Sequence, residues 1–168
     1  MDWRTMFLSP EGRMNQKDYW IGMLILFAAW VLSGALHLLA PIAWLLLIYP
    51  GVCVYAKRLH DAGRSAWLIL APVAIGVAAF ILAVIFGGIG VIGALGMMAT
   101  FGASPTAWTA LFAGLSAMAM FLCVAGVAKV AFLLWVGLSA GDSGDNRYGP
   151  PPVSMMTTPP PPAPPAAV

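Results

Sequence analysis

The fold is decided by the stretch Lys57-Arg58-Leu59-His60-Asp61-Ala62-Gly63-Arg64-Ser65-Ala66-Trp67. It is the only place between Asp18 and Lys129 where Asp, Glu, Lys or Arg interrupts the chain. Long uncharged runs of apolar residues lie on both sides of it, which is typical of helices that cross a membrane. The charged stretch therefore divides the chain into membrane-length segments and marks the side of the membrane at which they meet.

The composition excludes an ordinary soluble domain. Of the 168 residues, 61% are hydrophobic and 8% are charged, which leaves too little polar surface to cover so small a protein. We therefore predict an all-α, polytopic transmembrane helical bundle. A formal net charge of +2 does not indicate a nucleic-acid partner. Cys53 and Cys123 lie within apolar runs, where a thiol packs as a small hydrophobe.

About four spans are expected, at residues 19–39, 42–56, 66–86 and 107–137. Residues 87–104 are rich in glycine, and each glycine weakens a helix in water by about 1 kcal/mol. This stretch is therefore predicted to be a luminal or re-entrant connector, although Gly90 and Ala94 have the spacing of a helix-packing face.

Three further features complete the predicted organisation. Residues 1–18 are expected to form an N-terminal interfacial segment, and residues 150–168, which are rich in proline, a disordered tail. Residues 19–149 form the membrane domain between them. Within its second span, Pro50 is expected to kink or break the helix.

The distribution of cations predicts the orientation. Six cations flank the first two spans, namely Arg4, Arg13 and Lys17 before the first and Lys57, Arg58 and Arg64 after the second. The connection at residues 37–41 carries neither Lys nor Arg. Because cytoplasmic loops are enriched in these residues, the N-terminus and the charged stretch are predicted to be cytoplasmic. Four spans would place the C-terminus there as well.

The charged stretch has two alternative interpretations. In the first it is a polar turn, in which Gly63 ends one helix in a left-handed conformation, Ser65 caps the next, and local ion pairs contribute about 0.3 to 0.5 kcal/mol each. In the second it binds lipid headgroups or a partner protein. Arg58 and Asp61 are expected to be buried against Asp18 or Arg147. A metal site is not expected, since His60 and Asp61 supply at most two ligands where zinc takes about three or four.

Three separated motifs resemble, in order, the signatures of DUF805, a family of small bacterial inner-membrane proteins of unknown function. They are Gly12-Arg13-Met14-Asn15-Gln16-Lys17-Asp18-Tyr19-Trp20, then the charged stretch from Arg58 to Trp67, then Gly144-Asp145-Asn146-Arg147-Tyr148-Gly149-Pro150. The resemblance implies a multi-pass protein of the bacterial inner membrane. Short members run almost directly from the third span into the third motif, whereas this chain inserts the glycine-rich stretch and another apolar segment.

If the chain has four spans, the three motifs emerge on one face and form a polar platform for lipid headgroups. The candidate residues are Arg13, Lys17, Asp18, Arg58, His60, Asp61, Arg64, Asn146 and Arg147. Because cations outnumber anions among them, we predict contact with anionic lipid or an acidic partner segment. Arg147 is expected to lie within salt-bridge distance of Asp18 or Asp61.

Three classes of function remain open. An accessory or interaction protein, which acts with lipid, a second copy or another membrane protein, is favoured because no cofactor or catalytic motif is evident. A small transporter or channel component would need Lys129 or His37 to face a polar seam. A membrane enzyme acting on a lipid-linked substrate would need an acid or base, for which only His60, Asp61 and Asp18 are available.

Overall fold

The structure is a computed structural model that describes residues 3–152. In this range the regular elements are helices: α1 (Trp3–Leu8), α2 (Gln16–Gly34), a 3-10 turn (His37–Leu39), α3 (Ala40–Asp61), a second 3-10 turn (Ala66–Ile69), α4 (Leu70–Leu82), a π-helical segment (Ala83–Gly88), α5 (Ile89–Phe101) and α6 (Pro105–Leu138). The all-helical class is therefore confirmed. The chain divides into two units, one of residues up to Arg64 with those from Ala140 onward, the other of Ser65–Ser139.

The first unit is built on a hairpin of α2 and α3. Asn15 caps α2, because its side chain accepts a hydrogen bond from the backbone N–H of Asp18 at 2.7 Å. Gly22 permits a close approach to α3, where an added Cβ would lie 3.4 Å from Val54. The short helix α1 lies on α3, and the hydroxyl of Tyr49 donates a hydrogen bond to the carbonyl of Leu8 at 3.0 Å.

The end of α3 has the predicted caps. Gly63 adopts a left-handed conformation with φ of 67°, and its N–H donates to the carbonyl of His60. The next backbone N–H, that of Arg64, donates to Leu59. In the second unit, Ser65 caps the following 3-10 turn by accepting from the N–H of Trp67.

The second unit is a hairpin of two long helical segments, Ala66–Phe101 and Pro105–Leu138. They approach closely at glycine: a Cβ added to Gly114 would lie 2.8 Å from the nitrogen of Val91 and 2.9 Å from the carbonyl of Gly87. Gly90 lies against Gly114 in this contact, and Ala94, one turn later, is fully buried, as their spacing predicted.

The helix bounds bear on two predictions. The glycine-rich stretch 87–104 is helical as far as Phe101, so the break between the last two segments is limited to residues 102–104. The glycine penalty measured in water did not decide the outcome, because Gly87 and Gly90 allow the backbone to pack closely against Gly114. Of the kink or break expected at Pro50, the break is excluded, since α3 continues through this residue.

Within residues 3–152, three helical segments are long and apolar enough to cross a membrane: His37–Asp61, Ala66–Phe101 and Pro105–Leu138. Helix α2, which corresponds to the predicted first span at 19–39, ends at Gly34 and is not among them. Four spans therefore remain a prediction. The predicted disordered tail falls almost entirely outside the described residues.

Candidate functional site

Arg13 is the residue around which the charged site is assembled. The loop that carries it lies across the end of α3, where the N–H of Met14 donates to the carbonyl of Lys57 at 3.2 Å. The guanidinium is thereby placed against Asp61, with Nη2 at 3.0 Å and Nε at 3.1 Å from Oδ1. The two side chains are only 1% and 5% exposed, so this ion pair is withdrawn from water.

Asp61 binds a second guanidinium with its other oxygen. Arg58 Nη1 lies 2.6 Å from Oδ2, one turn of α3 earlier. The same nitrogen lies 3.4 Å from the carbonyl of Met14. Arg13, Asp61 and Arg58 therefore form a buried triad of one carboxylate between two cations, which we call the Arg-Asp-Arg triad. Low exposure strengthens such pairs, but it also makes the loss of one member costly.

The triad also binds the segment that follows α6. Arg13 Nη1 donates to the carbonyls of Gly144 at 2.6 Å and Gly149 at 3.3 Å, and Nη2 donates to the carbonyl of Asp142. The N–H of Asp142 donates to the carbonyl of Asp61 at 2.7 Å. A single guanidinium thus connects the first motif, the end of α3 and the third motif.

Two glycines permit this close approach. A Cβ at Gly141 would collide with the carboxylate of Asp61, and a Cβ at Gly63 would lie 2.7 Å from Oδ2 of Asp142. Real Cβ atoms do not come so near to oxygen. Residues 140–149, which we call the docked segment, therefore lie on α3 only with glycine at 141, because the carboxylate of Asp61 is held by two guanidiniums and does not move aside. At position 63 the left-handed φ of 67° also favours glycine.

Asn146 and Tyr148 fasten the far part of the docked segment to His60. Asn146 Nδ2 donates to the carbonyl of His60 at 3.0 Å and to Oδ2 of Asp142 at 2.9 Å. The ring of Tyr148 stacks on that of His60, with centroids 3.8 Å apart and planes 9° apart. His60 Nδ1 lies 3.2 Å from the carbonyl of Gly12, which can only accept a hydrogen bond, so Nδ1 is the donor in this contact.

The remaining candidate residues lie at the edge of this assembly. Lys17 is exposed and Asp18 is buried on the first turn of α2, while Arg64 is half-buried after α3. Arg147 is exposed, and its guanidinium lies 4.8 Å from the centre of the Tyr148 ring. The expected ion pair of Arg147 with Asp18 or Asp61 is wrong: in the described part of the chain Asp61 pairs with Arg13 and Arg58, and neither Asp18 nor Arg147 takes part in an ion pair.

Two residues belong to the site although the candidate set omitted them. Lys57 is fully buried and donates through Nζ to the carbonyl of Thr5, which holds α1 on α3. Asp142 contributes its backbone and its carboxylate to the docked segment. No signal in the sequence distinguishes Asp142 from Asp145, since both lie in the same polar run after α6.

Within residues 3–152 no group of three or more His, Cys, Asp or Glu side chains could hold a metal ion.

The apolar helices with a charged site at the end of α3 define a multi-pass membrane protein. Residues 7–150 match the family described as protein of unknown function DUF805, and the chain belongs to this family.

Two proteins of Escherichia coli strain K12 are similar in sequence to part of this chain. The chain is 31% identical to the inner membrane protein YhaH over an alignment that covers 40% of this chain and 69% of YhaH. It is 41% identical to the uncharacterised protein YiiR over an alignment that covers 39% of this chain and 51% of YiiR, so the match spans about half the length of YiiR. No solved structure matches the chain. These relationships and the apolar helices support a multi-pass protein of the inner membrane.

Proposed function

We propose that this chain is a non-enzymatic accessory protein of the inner membrane. Its charged site stabilises the fold by joining three parts of the chain, and exposed cations around that site contact anionic lipid headgroups. The observation that carries the proposal is the use of the Arg13 guanidinium, which binds Asp61 and three carbonyls of the docked segment. A group bonded in this way stabilises the fold and offers no donor to a substrate.

Two of the three groups that an enzyme could use as acid or base are engaged in the same way. Asp61 accepts from two guanidiniums, and the ring of His60 is covered by Tyr148 on one face and bonded to Gly12 at Nδ1. A general acid or base has to reach a substrate atom within hydrogen-bonding distance. This arrangement therefore favours an interaction protein over a membrane enzyme.

Contact with lipid is assigned to the exposed cations at the edge. Arg58, at 2% exposure and bonded to Asp61, is unsuited to bind a headgroup, whereas Lys17 and Arg147 are exposed. A cation near a membrane surface contributes about 1 kcal/mol to the attraction of anionic lipid. We place Lys17 and Arg147 at the headgroups, on the cytoplasmic side that the cation distribution favours.

The test is the lipid that co-purifies with the protein in a mild detergent. Replacing both cations, Lys17→Ala with Arg147→Ala, should reduce the bound phosphatidylglycerol, with affinity falling by roughly tenfold or more for the loss of two contacts. Gln16→Ala, which truncates an exposed and uncharged residue next to Lys17, should leave the amount unchanged. Unchanged phosphatidylglycerol in the double variant would contradict the headgroup contact.

A further inference from the structure

The turn between α2 and α3 is apolar and exposed. It contains Leu36, Leu38 and Leu39, which are 51%, 93% and 59% exposed, and Val31 and Ile42 on either side of it are more than half exposed. A turn that emerged into water would normally be polar, because exposed backbone and side chains are hydrated there. Leu38 in particular presents almost its whole side chain to the surroundings.

The polar groups of this turn are directed back at the hairpin itself. The hydroxyl of Ser33 donates to the carbonyl of Trp30 at 2.8 Å, and the indole N–H of Trp44 donates to the same carbonyl at 3.2 Å. His37 Nδ1 lies 2.7 Å from the carbonyl of Ala35. The Ser33 hydroxyl, the Trp44 indole N–H and the His37 Nδ1 therefore have hydrogen-bond partners within the hairpin and do not need water.

The backbone of the turn is also largely paired. The N–H groups of Ala35, Leu36 and Leu39 donate to the carbonyls of Leu32, Ser33 and Leu36. The next N–H, that of Ala40, donates to His37. Internal pairing of backbone groups is the condition for a chain to remain in hydrocarbon, where no water is available as a partner.

The arms of the hairpin are short for a complete crossing. Between the charged site and the turn, α2 rises about 24 Å from Asp18 to Gly34, and α3 rises by about the same from Ala40 to Ala56, whereas the hydrocarbon core is about 30 Å thick. The segment His37–Asp61 is long enough to cross when residues 57–61, which belong to the charged site, are counted with it. If the charged site lies at one surface of the membrane, the turn ends before the opposite surface.

We infer that the α2–α3 turn ends among the lipid acyl chains of the far leaflet and forms a lipid-binding surface there, instead of emerging into the water beyond. The inference requires the charged site to lie at a membrane surface, but it does not require that site to select anionic lipid. Leu36, Leu38 and Leu39 are the residues that contact acyl chains, and the stacked rings of Trp30 and Trp44, 5.8 Å apart, close the hairpin behind them.

Spin labelling in vesicles of phosphatidylethanolamine and phosphatidylglycerol tests the depth of the turn. A label is attached at Leu38→Cys in a chain that also carries Cys53→Ala and Cys123→Ala, and its collisions with oxygen and with a water-soluble nickel chelate are compared. Labels at Leu45→Cys, on the exposed face of α3, and at Glu11→Cys, in the N-terminal loop, are the lipid and water references. We expect nickel access at position 38 to match position 45 and to be several-fold below position 11. Nickel access equal to that at position 11 would overturn the inference.

A single substitution in the unaltered chain gives an independent result. Leu38→Glu places a charge at the turn without adding a cation, so it has little influence on orientation through the positive-inside rule. We expect a several-fold loss of folded protein recovered from membranes, because the carboxylate would have to enter hydrocarbon. Recovery equal to that of the parent chain would show that the turn lies in water.

Discussion

Arg13 and Asp61, 48 positions apart in the chain, form a buried ion pair with Nη2 and Oδ1 separated by 3.0 Å. The pair joins a loop before α2 to the last residue of α3, and the remaining donors of Arg13 extend it to the docked segment. Such a connection ties together three parts of the chain that local structure alone would leave independent. Its removal should therefore have consequences well beyond one contact.

Arg13→Ala is expected to destabilise the protein strongly. The substitution leaves Asp61 with one guanidinium and removes the donor from three carbonyls of the docked segment. Removing one partner of a buried pair typically costs about 3 to 5 kcal/mol. Lys17→Ala, an exposed cation four residues later, should cost less than about 1 kcal/mol. Equilibrium unfolding in mixed micelles compares the two, and equal small losses would mean that the pair contributes little.

Exchanging the charges of Arg58 and Asp61 should fail to restore stability. If these residues formed an isolated pair on α3, the double variant Arg58→Asp with Asp61→Arg would keep one favourable contact. In the structure the exchange places a guanidinium at position 61 directly against Arg13, and like charges in a buried site repel. We expect the double variant to melt well below the parent protein. A melting temperature equal to that of the parent would exclude the triad.

Gly141→Ala should release the docked segment. The added methyl group would collide with the carboxylate of Asp61, and overpacking of this kind costs about 1 to 3 kcal/mol. Gly144→Ala is the matched control, because a Cβ there meets no atom within 4 Å. Hydrogen exchange of the amides of Asp142 and Asn146 reports the difference. Faster exchange in both variants alike would show that the effect arises from loss of glycine flexibility and not from the contact.

The helical class and the ends of the charged stretch could be predicted because they depend on local chemistry. Uncharged apolar runs specify membrane helices, and Gly63 and Ser65 serve as caps through their own backbone and side-chain geometry. The burial of Arg58 and Asp61 was also expected, and both are at most 4% exposed, but the second cation on Asp61 is Arg13 and not the expected Arg147.

The partners inside the site could not be predicted from spacing along the chain. Arg13, Arg64 and Arg147 were all cations near a motif, and which of them reaches Asp61 depends on how the N-terminal loop crosses α3. The continuation of helix through residues 87–101 was missed for a related reason. Glycine lowers helix propensity in an isolated helix, but Gly87 and Gly90 also allow close backbone contact with Gly114. Only the tertiary arrangement shows which of the two effects is larger.

The orientation of the chain remains a prediction that reporter fusions can check. Six cations flank the predicted first and second spans, and the apolar turn between them carries none. The positive-inside rule then places the charged site in the cytoplasm. A fusion at Val168 should be active with a cytoplasmic reporter and silent with a periplasmic one. The reverse pattern would rule out an even number of spans with a cytoplasmic N-terminus.

Gly114→Ala should separate α5 from α6 and destabilise the second unit, because the new methyl group would lie 2.8 Å from the nitrogen of Val91 and 2.9 Å from the carbonyl of Gly87. These are backbone atoms, which cannot rotate aside as a side chain would, so a loss of about 1 to 3 kcal/mol is expected. Gly126→Ala is the control on the same helix, since a Cβ there meets no atom within 4 Å. Alanine is the better helix former, by about 1 kcal/mol in water, so the control should be neutral or slightly stabilising. Thermal unfolding in detergent gives both values. Equal melting temperatures for the two variants would show that the close contact at Gly114 does not hold the helices together.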